Sequence, residues 1–161
     1  MRGLRLLAGA ALALLALHAV ATFSAAPKAE DEPQFVHVTL DAREYSLGRS
    51  DAPLTLLEFT DYQCPYCRQF HTNVFGELKK NYIDTGKVRF YSRDLPLDSI
   101  HPNASRAAQA ARCASDQGQF WKLRDLMGAN PDKLDLENLV TEAGTLKMDT
   151  KTFRTCVESQ K

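Results

Sequence analysis

The pattern of apolar and polar positions changes period several times along this chain. Residues 6–21 form an almost unbroken apolar run behind Arg2 and Arg5. Residues 22–34 mix Pro27, Pro33, alanine and charge without a period, and read as a flexible linker. Phe35-Val36-His37-Val38-Thr39-Leu40 alternates as a half-buried strand does. A turn follows around Gly48-Arg49-Ser50-Asp51-Ala52-Pro53. Residues 54–60 are apolar on both faces, which predicts the central strand of a buried parallel sheet.

From Cys67 the apolar residues recur at Phe70, Val74, Phe75, Leu78 and Tyr82, the spacing of one long helix ending near residues 82–84. Gly86 stops it, and Lys87-Val88-Arg89-Phe90-Tyr91 reads as the next strand. Strand, helix and strand in so short a stretch predict a right-handed crossover with parallel pairing. Beyond Pro96 the period stays helical. Ala104, Ala107, Ala108, Ala111 and Ala114 line a small-residue face, and further helices are expected over 119–128, 135–143 and 149–159. Asp135 and Asp149 stand where N-caps belong. The expected class is α/β, with strands early and a wholly helical last part.

Composition sharpens the ends of this picture. The basic n-region, the apolar run and Ala19-Val20-Ala21 before Thr22 make residues 1–21 a secretory signal peptide. The run is 16 residues long, against the roughly 20 a spanning helix needs, so membrane attachment is expected only if this segment stays uncleaved. The remaining chain holds 18 basic and 20 acidic residues, interspersed, which argues against nucleic acid or an anionic membrane as partner. Export places the four cysteines, at 64, 67, 113 and 156, where disulfides persist.

Cys64-Pro65-Tyr66-Cys67 falls where the 54–60 strand gives way to a helix. Unpaired N–H groups and partial positive charge at a helix start stabilise a thiolate on the first cysteine, the form that attacks disulfides. Cys67, one turn on, can resolve the mixed disulfide, and Pro65 suits the first helical turn. A zinc site is the competing reading, with His71 as a third ligand, but no second ligand pair exists and no metal or cofactor is expected. Glu58, six residues before Cys64, would be a desolvated carboxyl with a raised pKa, able to accept the Cys67 proton; the alternative is a strand-end residue reaching water. Cys113 and Cys156 lie on two predicted helices and read as a structural disulfide, or else as two buried free thiols. His71 and His101 read as surface or capping residues, and Trp121 with Phe120 as core.

Taken in order, several motifs resemble the DsbA-like branch of the thioredoxin superfamily over residues 46–159. They are Gly48-x-x-Asp51-Ala52-Pro53, the run from Glu58 to Cys67, Arg93-Asp94-Leu95-Pro96-Leu97 and His101-Pro102. Ala110-Ala111-Arg112-Cys113-Ala114, Gly118-Gln119-Phe120-Trp121 and Phe153-Arg154-x-Cys156 complete the series. The resemblance implies a thioredoxin-like fold with a helical insertion, Cys64 as nucleophile, Cys67 as resolving thiol and Glu58 as the buried acid. It also implies that Cys113 pairs with Cys156. Relatives continue past the position of Cys156 into a cis-proline loop, two antiparallel strands and a helix. None of the seven prolines here stands late enough to be that proline, so residues 35–161 are expected to form a partial domain with an open apolar edge at 54–60.

Two functions of different class follow. The first is an exported, periplasmic or envelope thiol–disulfide oxidoreductase, acting on protein thiols and disulfides and recycled by a redox partner. The second is a truncated, catalytically weak fragment that binds partners or does nothing. A metal carrier using Cys64, Cys67 and His71 is a third.

Overall fold

The computed structural model describes residues 37–40 and 45–159. The signal segment, the linker and the first residues of the expected 35–40 strand lie outside them. Residues 37–40 are coil, so the alternating pattern there does not make a strand across the part described. The chain divides at residue 39, and the unit Leu40–Lys161 is described below.

Three strands form the sheet: β1 (Tyr45–Leu47), β2 (Leu54–Thr60) and β3 (Val88–Asp94), in the order β1-β3-β2. β1 runs antiparallel to β3, with Tyr45 opposite Ser92 and Leu47 opposite Phe90. At the end of β1 the chain turns through Gly48 at φ 90°, where a Cβ would stand 2.5 Å from the Val88 carbonyl oxygen. β2 and β3 pair in parallel, Leu54 with Val88 through Thr60 with Asp94, as the crossover pattern requires.

The centre of the sheet is β3, not β2. Val88, Phe90, Tyr91 and Ser92 are buried, whereas Leu54 and Phe59 of β2 are more than half exposed. Sequence pattern could show that β2 is apolar on both faces but not which neighbours cover it. Among the described residues β2 pairs with β3 alone.

The expected long helix is broken. α1 (Pro65–Asn73) gives way at Val74 (φ −119°) to α2 (Phe75–Leu78), which widens into a π-helical turn over Lys79–Ile83. The Thr72 hydroxyl donates to the Arg68 and Gln69 carbonyls at 3.0 and 3.4 Å, a back-bond that bends helices. The helical half follows as expected: α3 (Ala104–Ser115), α4 (Phe120–Ala129), α5 (Leu136–Thr145) and α6 (Thr150–Glu158). Asp135 accepts from the Asn138 N–H at 3.1 Å and Asp149 from the Thr152 N–H at 3.0 Å, so both cap their helices.

Two clusters make the core. The alanines of α3 pack with Leu123, Met127, Leu134, Leu139, Phe153 and Val157 in the helical half. Phe75, Ile83, Val88 and Phe90 fill the space between the sheet and the bent helix. Trp121 packs against both clusters and joins them. A disulfide links Cys113 of α3 to Cys156 of α6, with Cα atoms 5.9 Å apart.

Candidate active site around Cys64 and Cys67

β2 ends at Thr60, and a tight loop delivers the chain to α1. The buried Asp61 organises that loop. Its carboxylate accepts from the Gln63 N–H at 2.8 Å and the Leu97 N–H at 2.9 Å, and lies 2.8 Å from His101 Nδ1. Its carbonyl accepts from the Cys64 N–H at 3.1 Å. The Gln63 side chain accepts from the Asn103 N–H at 2.8 Å, a second tie to the segment after β3. The loop before the cysteines is thereby fastened to residues 97–103.

Cys64 is the N-cap of α1 with extended backbone (φ −70°, ψ 124°), and Pro65 occupies the first turn. Both Cys64 and Cys67 are free, half-buried thiols, while Tyr66 between them is 77% exposed. Burial pushes the Cys67 thiol up, and its contact with the Cys64 thiol adds to the effect. Against these, the Asp61 backbone and the Thr60 side chain nearby pull the thiol the other way, toward the thiolate.

Beside Cys67 lies a cavity of about 20 Å³, lined by Thr60, Asp61, Tyr62, Cys67, Arg68, His71, Arg124 and Gly128. Arg124, from α4, is 3% exposed and reaches in three directions. One Nη donates to Glu58 at 2.6 Å, the other lies 3.1 Å from His71 Nδ1, and the guanidinium carbon sits 4.7 Å from the Phe75 ring centre. His71 Nε2 in turn lies 3.3 Å from Asp125. Gly128 leaves room for that imidazole, since a Cβ there would meet His71 Cδ2 at 2.5 Å.

Glu58 is a largely buried carboxyl, and it is paired. It accepts from Ser92 Oγ at 3.1 Å and from Arg124, and Arg124 rather than Glu58 borders the cavity with Cys67. His71 and His101 are not surface residues; each ring is held by charged neighbours and mostly buried. Sequence reasoning passed over Arg124, Asp61 and Thr60. Arg124 left a readable signal, because Phe120, Leu123, Arg124 and Met127 share the buried face of α4. A cation on such a face demands a buried partner. Among the described residues no group of three or more His, Cys, Asp or Glu is placed to hold a metal ion.

The sheet, the crossover and a cysteine pair opening a helix define a thioredoxin-type site. A thioredoxin family model matches residues 41–161, and the chain belongs to the thioredoxin family, in its DsbA-like branch. It is 37% identical over 99 residues to a Bacillus cereus protein named "Probable disulfide bond formation protein D", covering 62% of this chain and 45% of that one. It is also 38% identical over 112 residues to part of the Na(+)/H(+) antiporter NhaA 3 of Salinispora tropica, covering 70% of this chain and 17% of that protein. Oxidised BdbD from Bacillus subtilis superposes with a TM-score of 0.65 at 26% identity, over 73% of this chain and 66% of that chain. Wolbachia pipientis α-DsbA1 gives 0.65 at 27% identity, over 73% and 61%. The chain thus spans a sixth to about half of these curated relatives.

Proposed function

We propose that this protein is an exported thiol–disulfide oxidoreductase that exchanges disulfides with protein substrates through Cys64 and Cys67. One observation carries the reading: Cys64 caps α1 at the mouth of the site, and Cys67 stands one turn further in beside a small cavity. In the oxidising direction a substrate thiolate attacks Cys64 of the Cys64–Cys67 disulfide, and Cys67 leaves as a thiolate and takes up a proton. A second substrate thiolate then attacks the mixed disulfide at the substrate sulfur, and Cys64 leaves. The reverse sequence reduces a substrate. Tyr66 is the exposed side chain beside the reacting sulfur, and Pro65 sets the helix start on which the geometry rests.

Glu58 serves here as the charge partner of Arg124, and the Cys113–Cys156 disulfide holds the helical half together. The leader-like residues 1–21 support export to the periplasm or envelope, where a redox partner would restore the cysteine pair. The names of the Bacillus and Wolbachia relatives support the reaction class. A second reading, a weakly catalytic binding module, is favoured by Leu54 and Phe59, large apolar residues exposed on an edge strand.

Thiol trapping across a series of glutathione buffers separates the two. An oxidoreductase titrates Cys64 and Cys67 as one pair with a defined potential, loses exchange in Cys64→Ser and accumulates mixed disulfide in Cys67→Ser. Unchanged exchange in Cys64→Ser would sink the first reading.

A further inference from the structure

The nucleophile of the reaction proposed above does not hold itself in place. Cys64 is the N-cap of α1, its side chain makes no capping hydrogen bond, and its carbonyl accepts from the Arg68 N–H at 3.0 Å. Cysteine has no strong preference for such a position, unlike Asp135 and Asp149, which start later helices. What sets Cys64 at the helix start lies in the residues before it.

Asp61 supplies it. One carboxylate oxygen accepts from the Gln63 N–H at 2.8 Å and closes an Asx-turn. The Asp61 carbonyl accepts from the Cys64 N–H at 3.1 Å and closes a β-turn over the same four residues. The other carboxylate oxygen accepts from the Leu97 N–H at 2.9 Å and lies 2.8 Å from His101 Nδ1. Leu97 and His101 belong to one further turn, in which the His101 N–H donates to the Leu97 carbonyl at 2.9 Å. Asp61 is 3% exposed, so water scarcely competes for these bonds, and a buried donor left without its acceptor is costly. The two turns are therefore pinned to each other through one side chain.

We propose that Asp61 is the positioning residue of the nucleophile: its carboxylate locks residues 61–64 into one turn, ties that turn to residues 97–101, and so holds Cys64 against the start of α1. Its side chain acts through the backbone of Cys64 and takes neither a proton nor a sulfur in the exchange. Held there, a Cys64 thiolate faces the positive end of α1, which favours the anion. With the turn loosened, the same thiolate spends less time at that end and is less stable. The inference deepens the oxidoreductase reading and rests on it for calling Cys64 the nucleophile, but the placement can be tested without any substrate.

The carboxylate also carries negative charge, which acts against a nearby thiolate, so removing it has two effects of opposite sign. Two substitutions of equal charge separate them. Asp61→Asn keeps an oxygen for the Gln63 N–H, since asparagine closes Asx-turns as aspartate does. Asp61→Ala removes the oxygen as well. The test follows alkylation of Cys64 against pH in the reduced full chain carrying Cys67→Ala, with the Cys113–Cys156 bond intact. The profile of Asp61→Ala is expected to lie about half a pH unit above that of Asp61→Asn, the size of a helix-end interaction, with alkylation below the midpoint about threefold slower. Asp61→Asn is expected to lie no higher than the parent. Asp61→Val serves in place of Asp61→Ala should the latter not fold, as judged by Trp121 fluorescence and an intact Cys113–Cys156 bond. Coincident profiles for Asp61→Asn and Asp61→Ala overturn the inference, because the turn-closing oxygen would then have no effect on Cys64. A profile for Asp61→Ala below that of Asp61→Asn overturns it too. A parent that fails to exchange disulfides while its variants show the expected displacement sinks the oxidoreductase reading alone, since alkylation needs no exchange partner.

Discussion

Arg124 is the residue on which the charges below the cysteines depend. It is buried, and it faces Glu58, His71 and three aromatic rings at once. Arg124→Met leaves the Glu58 carboxylate buried without its cation and is expected to cost about 3–5 kcal/mol in chemical denaturation. Replacing both partners, Arg124→Met with Glu58→Leu, is expected to recover most of that loss, because neither charge then remains to be desolvated. Equal destabilisation by the single and double variants would show that the loss comes from something other than an unpaired Glu58 carboxylate. The cysteine pair was legible in the sequence because its spacing and its place after a strand are local facts. The Glu58–Arg124 pair was not, since it joins residues 66 apart in sequence across two elements.

The elements follow the sequence wherever a local signal decides them. Asp135 and Asp149 start α5 and α6 as their side chains predict. The strand pattern at 54–60 made a strand, but its edge position depends on which segments pair with it, and periodicity does not encode that. The break at Val74 was missed because apolar spacing is blind to a hydroxyl bonding back to its own helix. α1 and α4 meet where Gly128 faces His71. Gly128→Ala would drive a methyl into an imidazole already fixed by Arg124, Asp125 and a stack on Phe75. It is expected to destabilise by about 1–3 kcal/mol as an overpacked contact. Gly76→Ala in α2 meets nothing within 4 Å and is expected to be neutral or to stabilise by about 0.5–1 kcal/mol. The difference in denaturation midpoint between these two variants checks the contact.

The unit Leu40–Lys161 combines a small sheet with a larger helical half, and its two cysteine pairs belong to different parts of it. Cys64 and Cys67 stand at the end of the sheet, while Cys113 and Cys156 close a long loop wholly within the helices. With its cysteines 43 positions apart, that bond is expected to contribute about 4 kcal/mol by the loop-closure account. Cys113→Ala with Cys156→Ala should lower the unfolding free energy by that amount, while Cys64 and Cys67 keep their redox potential. The same bond decides what a protease can accomplish. α3 and α4 come before residues 130–135 and α5 and α6 after them, so a cut there falls inside the closed loop. Such a cut parts the backbone and releases nothing: the nicked protein would keep its full mass until a reductant frees two pieces, one bearing Cys64 and Cys67 and the other ending α6.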